Sequence, residues 1–254
     1  MDLLKAFILG IVEGLTEFLP ISSTAHLLIA QKFLKIPQTE FTSFFDIVIQ
    51  SGAILSVIFL YFKYLKENQY LIKKIFISFI PTAVIGFILH KIIKNYFFNS
   101  MNLIVGAMFF IGFLFVAFEI ISQKKNNKVL SKMNYFEAII IGLGQSLAIV
   151  PGVSRAGAVI LTMLLLGFRR DEAAIYSFLL AVPTIMAASG LEIIKSDLRV
   201  IFIGNNFLSF LIGFFTSFFV ALVVIKWFIS FLKKKSLIFF GIYRMALAFY
   251  LFMI

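Results

Sequence analysis

The chain has 254 residues, 61% of them hydrophobic and only 14% charged, with no Cys and a formal net charge of +11. Soluble domains run nearer half apolar and a quarter charged, so the composition excludes an ordinary soluble domain and indicates an integral membrane protein; the lack of Cys excludes disulfides, thiolate metal sites and thiol chemistry. The lysines cluster at the ends of apolar segments, which membrane anchoring explains and nucleic-acid binding does not.

The 34 Phe and several apolar runs of about 20 residues indicate an all-α polytopic membrane protein, because a barrel would alternate polar and apolar residues. Segment 3–19 carries two acids, Glu13 and Glu17, in its apolar run, lacks a small-residue cleavage site, and so reads as part of the membrane domain rather than as a signal peptide. It stops at Pro20, which disfavours helix at the residue before it. Segment 23–35 begins at Ser22-Ser23-Thr24, a natural N-cap cluster, and ends near Pro37. Each is too short to span, so the two are expected to form a re-entrant helix pair. Three long apolar segments follow, at about 41–62, 75–93 and 102–121, and then a basic connector, 122–135.

The second half repeats this plan. Segment 137–150 breaks at Pro151-Gly152, segment 154–168 resumes, and three long segments run at about 172–193, 207–229 and 237–254. Gly10 and Glu13 match Gly142 and Gln145, and nine residues on, Ser22-Ser23 matches Ser154-Arg155, each pair just after a proline. The expected organisation is one membrane domain, 1–254, with repeat one at about 1–121 and repeat two at about 136–254. An odd number of crossings per half inverts the second copy in the membrane. Of the basic residues at segment ends, 14 fall on the side of the connector and 7 on the other, which makes the connector side cytoplasmic.

The polar residues inside this apolar chain carry the chemistry, since ionisable groups at membrane depth are expensive and read as functional. Glu13 and Glu17, spaced i and i+4, share one helix face about 6 Å apart at Cβ. Two carboxylates so close share a proton or bind a cation, and an oxygen-only pair suits Mg²⁺ or Ca²⁺. Ser22, Ser23, Thr24 and Ser154 sit at helix starts, where free N–H groups favour an anion, and Arg155 offers a planar fork for phosphate oxygens. His26 lies one turn after Ser23, within reach for a nucleophile–base pair. Gly10 and Gly14 form a small-xxx-small pair that lets another backbone come close. Simpler readings stand beside these: Ser22–Thr24 and Ser154 as plain caps, His26 as hydrogen-bonded structure, Arg155 as partner of a buried acid, Gln145 as packing. Arg244 in the last segment reads as a structural pairing, and His90 as interfacial.

At Glu13-Gly-Leu-Thr-Glu17-Phe-Leu-Pro-Ile-Ser-Ser-Thr-Ala-His26 and Pro151-Gly152-Val153-Ser154-Arg155 the sequence resembles the bacterial undecaprenyl-diphosphate phosphatase family, the type linked to bacitracin resistance. Val48–Ala53 and Tyr176–Leu180 with Pro183 fit it too. The resemblance implies hydrolysis of undecaprenyl diphosphate, a prenyl diphosphate lipid, to the monophosphate carrier used in cell-wall synthesis. It implies a divalent cation held by Glu13 and Glu17, and a site opening to the outer face of the bacterial plasma membrane. It marks Glu13, Glu17, Ser23, His26 and Arg155 as catalytic, with Ser22, Thr24, Gly152 and Ser154 binding substrate. Ala156 and Val159 replace a Ser and a Thr of the family pattern, and Ala25 a Gly, so one or two hydrogen bonds near the phosphate are expected to be missing. Membrane lipid is the expected surroundings, and a homodimer is compatible. The rival expectation is an inverted-repeat transporter or flippase for a prenyl phosphate or small anion. The acid pair with Ser, His and Arg favours the enzyme, because an anion carrier gains nothing from two carboxylates.

Overall fold

The computed structural model describes residues 1–92, 100–122, 126–195 and 203–253. Ten α-helices account for most of them: α1 Leu3–Thr16, α2 Ser23–Phe33, α3 Glu40–Glu67, α4 Tyr70–Ile92, α5 Met101–Ile121, α6 Tyr135–Ser146, α7 Arg155–Leu165, α8 Arg170–Lys195, α9 Asn206–Leu232 and α10 Ile238–Met253. Among the described residues there is no strand, and one isolated bridge joins Lys128 to Phe168. Of the charges used to read orientation, Lys94, Lys124, Lys125 and Arg199 lie outside the described residues, as does Ile254.

Helix starts follow the local sequence. Asp2 accepts from the Leu4 amide at 3.3 Å, and Ser100 accepts from Leu103 N at 3.3 Å. Asn134 and Glu137 form a reciprocal capping box on α6. The ends of α2 and α7 are alike: Lys35 and Gly167 both have positive φ, while Ile36 N bonds Gln31 O at 2.9 Å and Phe168 N bonds Met163 O at 3.0 Å. That 6→1 bond closes a helix by leaving it through the left-handed region.

Five helices, α3, α4, α5, α8 and α9, are long and apolar enough to cross a membrane, and the chain is a multi-pass membrane protein. Three expectations shift, the first being the segment at about 75–93, whose helix begins earlier, at Tyr70. The helix at 41–62 extends to Glu40–Glu67, because its charged last turn continues the helix beyond the apolar run. The segment 237–254 gives α10, a helix of only 16 residues, whose rise of about 24 Å falls short of a bilayer core of about 30 Å.

The halves pack reciprocally. Helix α1 lies on α9 and α6 on α4; α3 lies on α9 and α8 on α4; α3 meets α8 and α5 meets α10. Thus the first and third helices of each half rest on the fourth helix of the other. Lipid tails are as apolar as Leu, so such contacts depend on close packing and on hydrogen bonds. A Cβ on Gly10 or Gly14 would come within 2.7 Å of the α9 carbonyls of Gly213 and Ser217, so only hydrogen permits this approach. On the other side Ser78 Oγ donates to Ala138 O at 2.7 Å and Thr82 Oγ1 to Gly142 O at 3.0 Å, tying α4 to α6. Large apolar side chains such as Phe59, Phe87, Phe219 and Val223 stay exposed, as lipid-facing residues do.

Candidate active site

The breaks between α1 and α2 and between α6 and α7 face each other, and Glu17 stands between them. It is the C-cap of α1, still in α conformation, with its N–H on Glu13 O at 2.9 Å, so the i, i+4 relation of the two acids is kept. The next residue, Phe18, is fully buried and packs edge-on against Phe178 of α8 at 5.1 Å, which anchors the turn carrying the acid.

Two groups bind the Glu17 carboxylate. Ser23 Oγ donates to Oε2 at 2.6 Å, and Arg155 Nη2 donates to Oε1 at 3.0 Å. The ion pair is buried, with side-chain exposures of 11% for Arg155 and 5% for Glu17, so water does not screen it. Arg155 Nη1 donates to the Ser177 carbonyl at 2.9 Å, and its Nε is buried without a partner. Glu13 is fully buried beside Glu17, within reach of a hydrogen bond to it when one of the two acids is protonated, and no other group donates to its carboxylate oxygens. Two carboxylates this close and this buried either share a proton or take a cation between them.

The two helix starts share an unusual backbone. Ser22 and Ser154 take φ of 75° and 71°, which a residue with a Cβ adopts at a cost of about 1–3 kcal/mol, and such strain concentrates at functional sites. Ser22 makes no side-chain cap, and Thr24 is partly buried on the first turn of α2. Ser154 Oγ caps α7 by accepting from Gly157 N at 3.2 Å, as its simpler reading has it. Gly152, with φ of 94°, lies where a Cβ would run into the Ile104 carbonyl; its own carbonyl is turned to Arg244.

His26 is not paired with Ser23, whose hydroxyl is taken by Glu17. Its Nδ1 lies 2.7 Å from the Ser22 carbonyl, and since a carbonyl only accepts, Nδ1 carries the hydrogen. In the neutral ring Nε2 then accepts from Tyr243 OH at 2.7 Å, and the two rings stack at 5.7 Å. Tyr243 belongs to α10, far away in sequence, and no motif marked it. Gln145 stands where α1 has Glu13 and donates to the Thr82 and Thr184 hydroxyls at 2.9 and 3.1 Å.

A polar chain joins α2 to α3 near the acid pair. Exposed Gln38 donates to Gln31 Oε1 at 2.6 Å, and fully buried Gln31 donates to Asp46 at 2.8 and 3.0 Å. Asp46 in turn acts electrostatically on Glu13. The signal for Asp46 was present in the sequence, an acid inside the apolar run 41–62. Among the described residues no three acids, histidines or cysteines group closely enough to hold a metal by themselves.

Residues 6–250 match the family described as Bacitracin resistance protein BacA. Undecaprenyl-diphosphatase of Persephonella marina is 45% identical, the alignment covering 98% of this chain and 97% of the relative. The Campylobacter fetus protein of the same name is 46% identical over 97% and 96% of the two chains, and that of Aquifex aeolicus 41% over 98% of each.

Proposed function

The chain belongs to the bacitracin resistance protein BacA family, and from that premise we propose that it hydrolyses undecaprenyl diphosphate to undecaprenyl phosphate and inorganic phosphate. The product returns to cell-wall synthesis as the carrier lipid. The observation that carries the reading is Glu17 holding the Ser23 hydroxyl on one oxygen and Arg155 on the other.

In the proposed reaction Ser23 Oγ attacks the terminal phosphorus as its proton passes to Glu17 Oε2. The bond from that phosphorus to the bridging oxygen breaks, and undecaprenyl phosphate leaves. Water then cleaves the phosphoseryl ester and releases phosphate, with Glu17 returning the proton to Ser23. Arg155 Nε, buried and unpartnered, is the donor for a phosphoryl oxygen, and a guanidinium already fixed by Glu17 and the Ser177 carbonyl reorganises little as charge develops. The free amides at the start of α2 support the same anion. His26, oriented by Ser22 and Tyr243, borders the turn that carries Ser23.

Glu13 fits a divalent cation, since no group besides Glu17 reaches its two buried oxygens and hard oxygen ligands suit Mg²⁺ or Ca²⁺. Glu17 is already engaged on both oxygens, so its share of the ion is the smaller. When bound, such an ion supplies neutralisation of the diphosphate charge.

For the membrane we propose two inverted repeats, each a re-entrant pair (α1–α2, α6–α7) followed by three longer helices. The reciprocal packing of the halves and the matched exits of α2 and α7 support this. The charge asymmetry favours a plasma membrane protein with the connector in the cytoplasm and the α1–α2 side outside. The prenyl tail then lies among lipid-facing helices. Transport, the rival reading, draws no support from the named relatives, and a carrier has no use for a hydroxyl set against a carboxylate.

The test is phosphate release by the purified protein from a short prenyl diphosphate, with and without a chelator. Release that stops with chelator and with Ser23→Ala is expected. Full release by Ser23→Ala would exclude the serine as nucleophile, and no release by the wild type under any divalent ion would remove the phosphatase reading.

A further inference from the structure

Arg244 of α10 is fully buried, and among the described residues no carboxylate pairs with it. Its partners are four carbonyls: Nε donates to Met108 at 3.3 Å, Nη1 to Pro20 at 2.9 Å, and Nη2 to Gly152 at 2.6 Å and Val153 at 3.1 Å. Met108 belongs to α5, against which α10 packs. The other three carbonyls belong to the two chain breaks, where helix bonding is interrupted and membrane depth offers no water to replace it. A buried charge without a counter-ion costs several kcal/mol, so a fold that keeps one obtains something a neutral side chain does not provide. Here that is reach: the guanidinium fork spans from the first break to the second.

The position of that span matters. Pro20 lies two residues before Ser22, and Val153 one residue before Ser154, the two positive-φ serines that launch α2 and α7. The first residues of those helices are Ser23 and Arg155, the two groups on Glu17.

We infer that Arg244 is a positioning residue for the phosphatase site, clamping the two breaks by their carbonyls so that Ser23 and Arg155 converge on Glu17. It touches no substrate and acts through the backbone. Its neighbour Tyr243 holds His26, so adjacent residues of α10 secure both the turns and the imidazole. The inference rests on the reading of Glu17, Ser23 and Arg155 as the site.

The experiment compares Arg244→Lys and Arg244→Gln with wild type and with Ser23→Ala, each purified full length. Lys keeps the charge but cannot bridge two turns as a fork does. Gln removes the buried charge while keeping a donor, so it is the variant better placed to fold. Kinetics on a short prenyl diphosphate and thermal stability are read on the same preparations. In parallel, spin labels on cysteines at Leu19 and Leu147, introduced into this Cys-free chain, report the separation of the breaks. Expected are a kcat lower by about 10- to 100-fold, KM within about twofold, and a broadened label distance, as misplacement of reacting groups by about 1 Å produces. A folded variant with wild-type kcat and an unchanged distance overturns the inference. So does loss of kcat with the distance unaltered, or failure of both variants to fold, since either makes Arg244 something other than a positioning residue. Activity in Ser23→Ala would instead count against the site itself, which keeps the two failures apart.

Discussion

Ser23 and Arg155 hold the same place in the two halves, each the first residue of a helix launched by a serine of positive φ, and both bind the carboxylate of Glu17, at 2.6 and 3.0 Å. One acid therefore joins the two helix breaks. The rest of the equipment is one-sided. At the same interval from its counterpart, Gln145 replaces Glu13, Ile149 replaces Glu17 and Ala158 replaces His26. The second half keeps the break, the cap and one guanidinium, and the first half keeps the acids, the free hydroxyl and the imidazole. A single asymmetric site between two related halves is the consequence.

The two acids are expected to respond differently to the same substitution. Glu17→Gln removes the proton acceptor for Ser23 and the counter-charge of buried Arg155, so kcat should fall by about 10²–10⁴ and stability by about 1–3 kcal/mol. Glu13→Gln removes a buried carboxylate that no group besides Glu17 reaches, so stability should hold or rise while activity falls. Gln145 already occupies the corresponding position in α6, so the fold accommodates that side chain. Calorimetry and kcat on both variants decide it: a Glu13→Gln protein with wild-type turnover would show that Glu13 plays no part in the reaction.

Tyr243→Phe isolates the imidazole. It removes one hydroxyl, keeps the ring that stacks at 5.7 Å on His26, and leaves Nε2 without its donor. A net hydrogen bond is worth about 1 kcal/mol, so an effect on kcat of roughly fivefold is expected if His26 orientation matters to turnover. Equal rates for Tyr243→Phe and wild type, with His26→Ala impaired, would show that Nε2 works without the tyrosine.

The helical class and the helix breaks at Pro20 and Pro151-Gly152 were legible because each is written locally, in apolar run length and in proline placement. The partners were not. His26 meets Tyr243 and Arg244 meets Pro20 across more than 200 residues, and no periodicity encodes which helix lies beside which. Sequence spacing favoured His26 as the partner of Ser23, yet the turn delivers the hydroxyl to Glu17. Ser154 and Ser22 look equivalent in sequence, but only Ser154 caps its helix, so their roles separate in space. Arg244 read as a structural pairing, but its partners were not legible: they are three carbonyls freed by the two breaks and one on α5.

Orientation can be read in intact cells. With no native Cys, a single cysteine at exposed Asn127 or appended after Ile254 is a clean probe for an impermeant thiol reagent. The charge asymmetry predicts that Asn127→Cys is labelled only after permeabilisation and the appended cysteine without it. Labelling of Asn127→Cys in intact cells would reverse the topology and turn the α1–α2 break toward the cytoplasm.

Arg155→Lys separates charge from geometry at the centre of the site. The guanidinium uses Nη2 on Glu17 and Nη1 on the Ser177 carbonyl, which leaves Nε as the donor for a phosphoryl oxygen. A lysine ammonium keeps the positive charge and can stay beside Glu17, but it cannot hold both anchors and still direct a third N–H at substrate. Loss of one preorganised donor to charge developing in the transition state lowers kcat by about 10²–10³, or about 2.7–4 kcal/mol. Because the Glu17 carboxylate remains compensated, thermal stability should fall much less than in Glu17→Gln. A stable Arg155→Lys protein with kcat within about threefold of wild type, against that 10²–10³ expectation, would leave Arg155 as the counter-charge of Glu17 and nothing more. A stable protein with kcat reduced as expected and KM little changed would place the guanidinium on the transferred phosphoryl group.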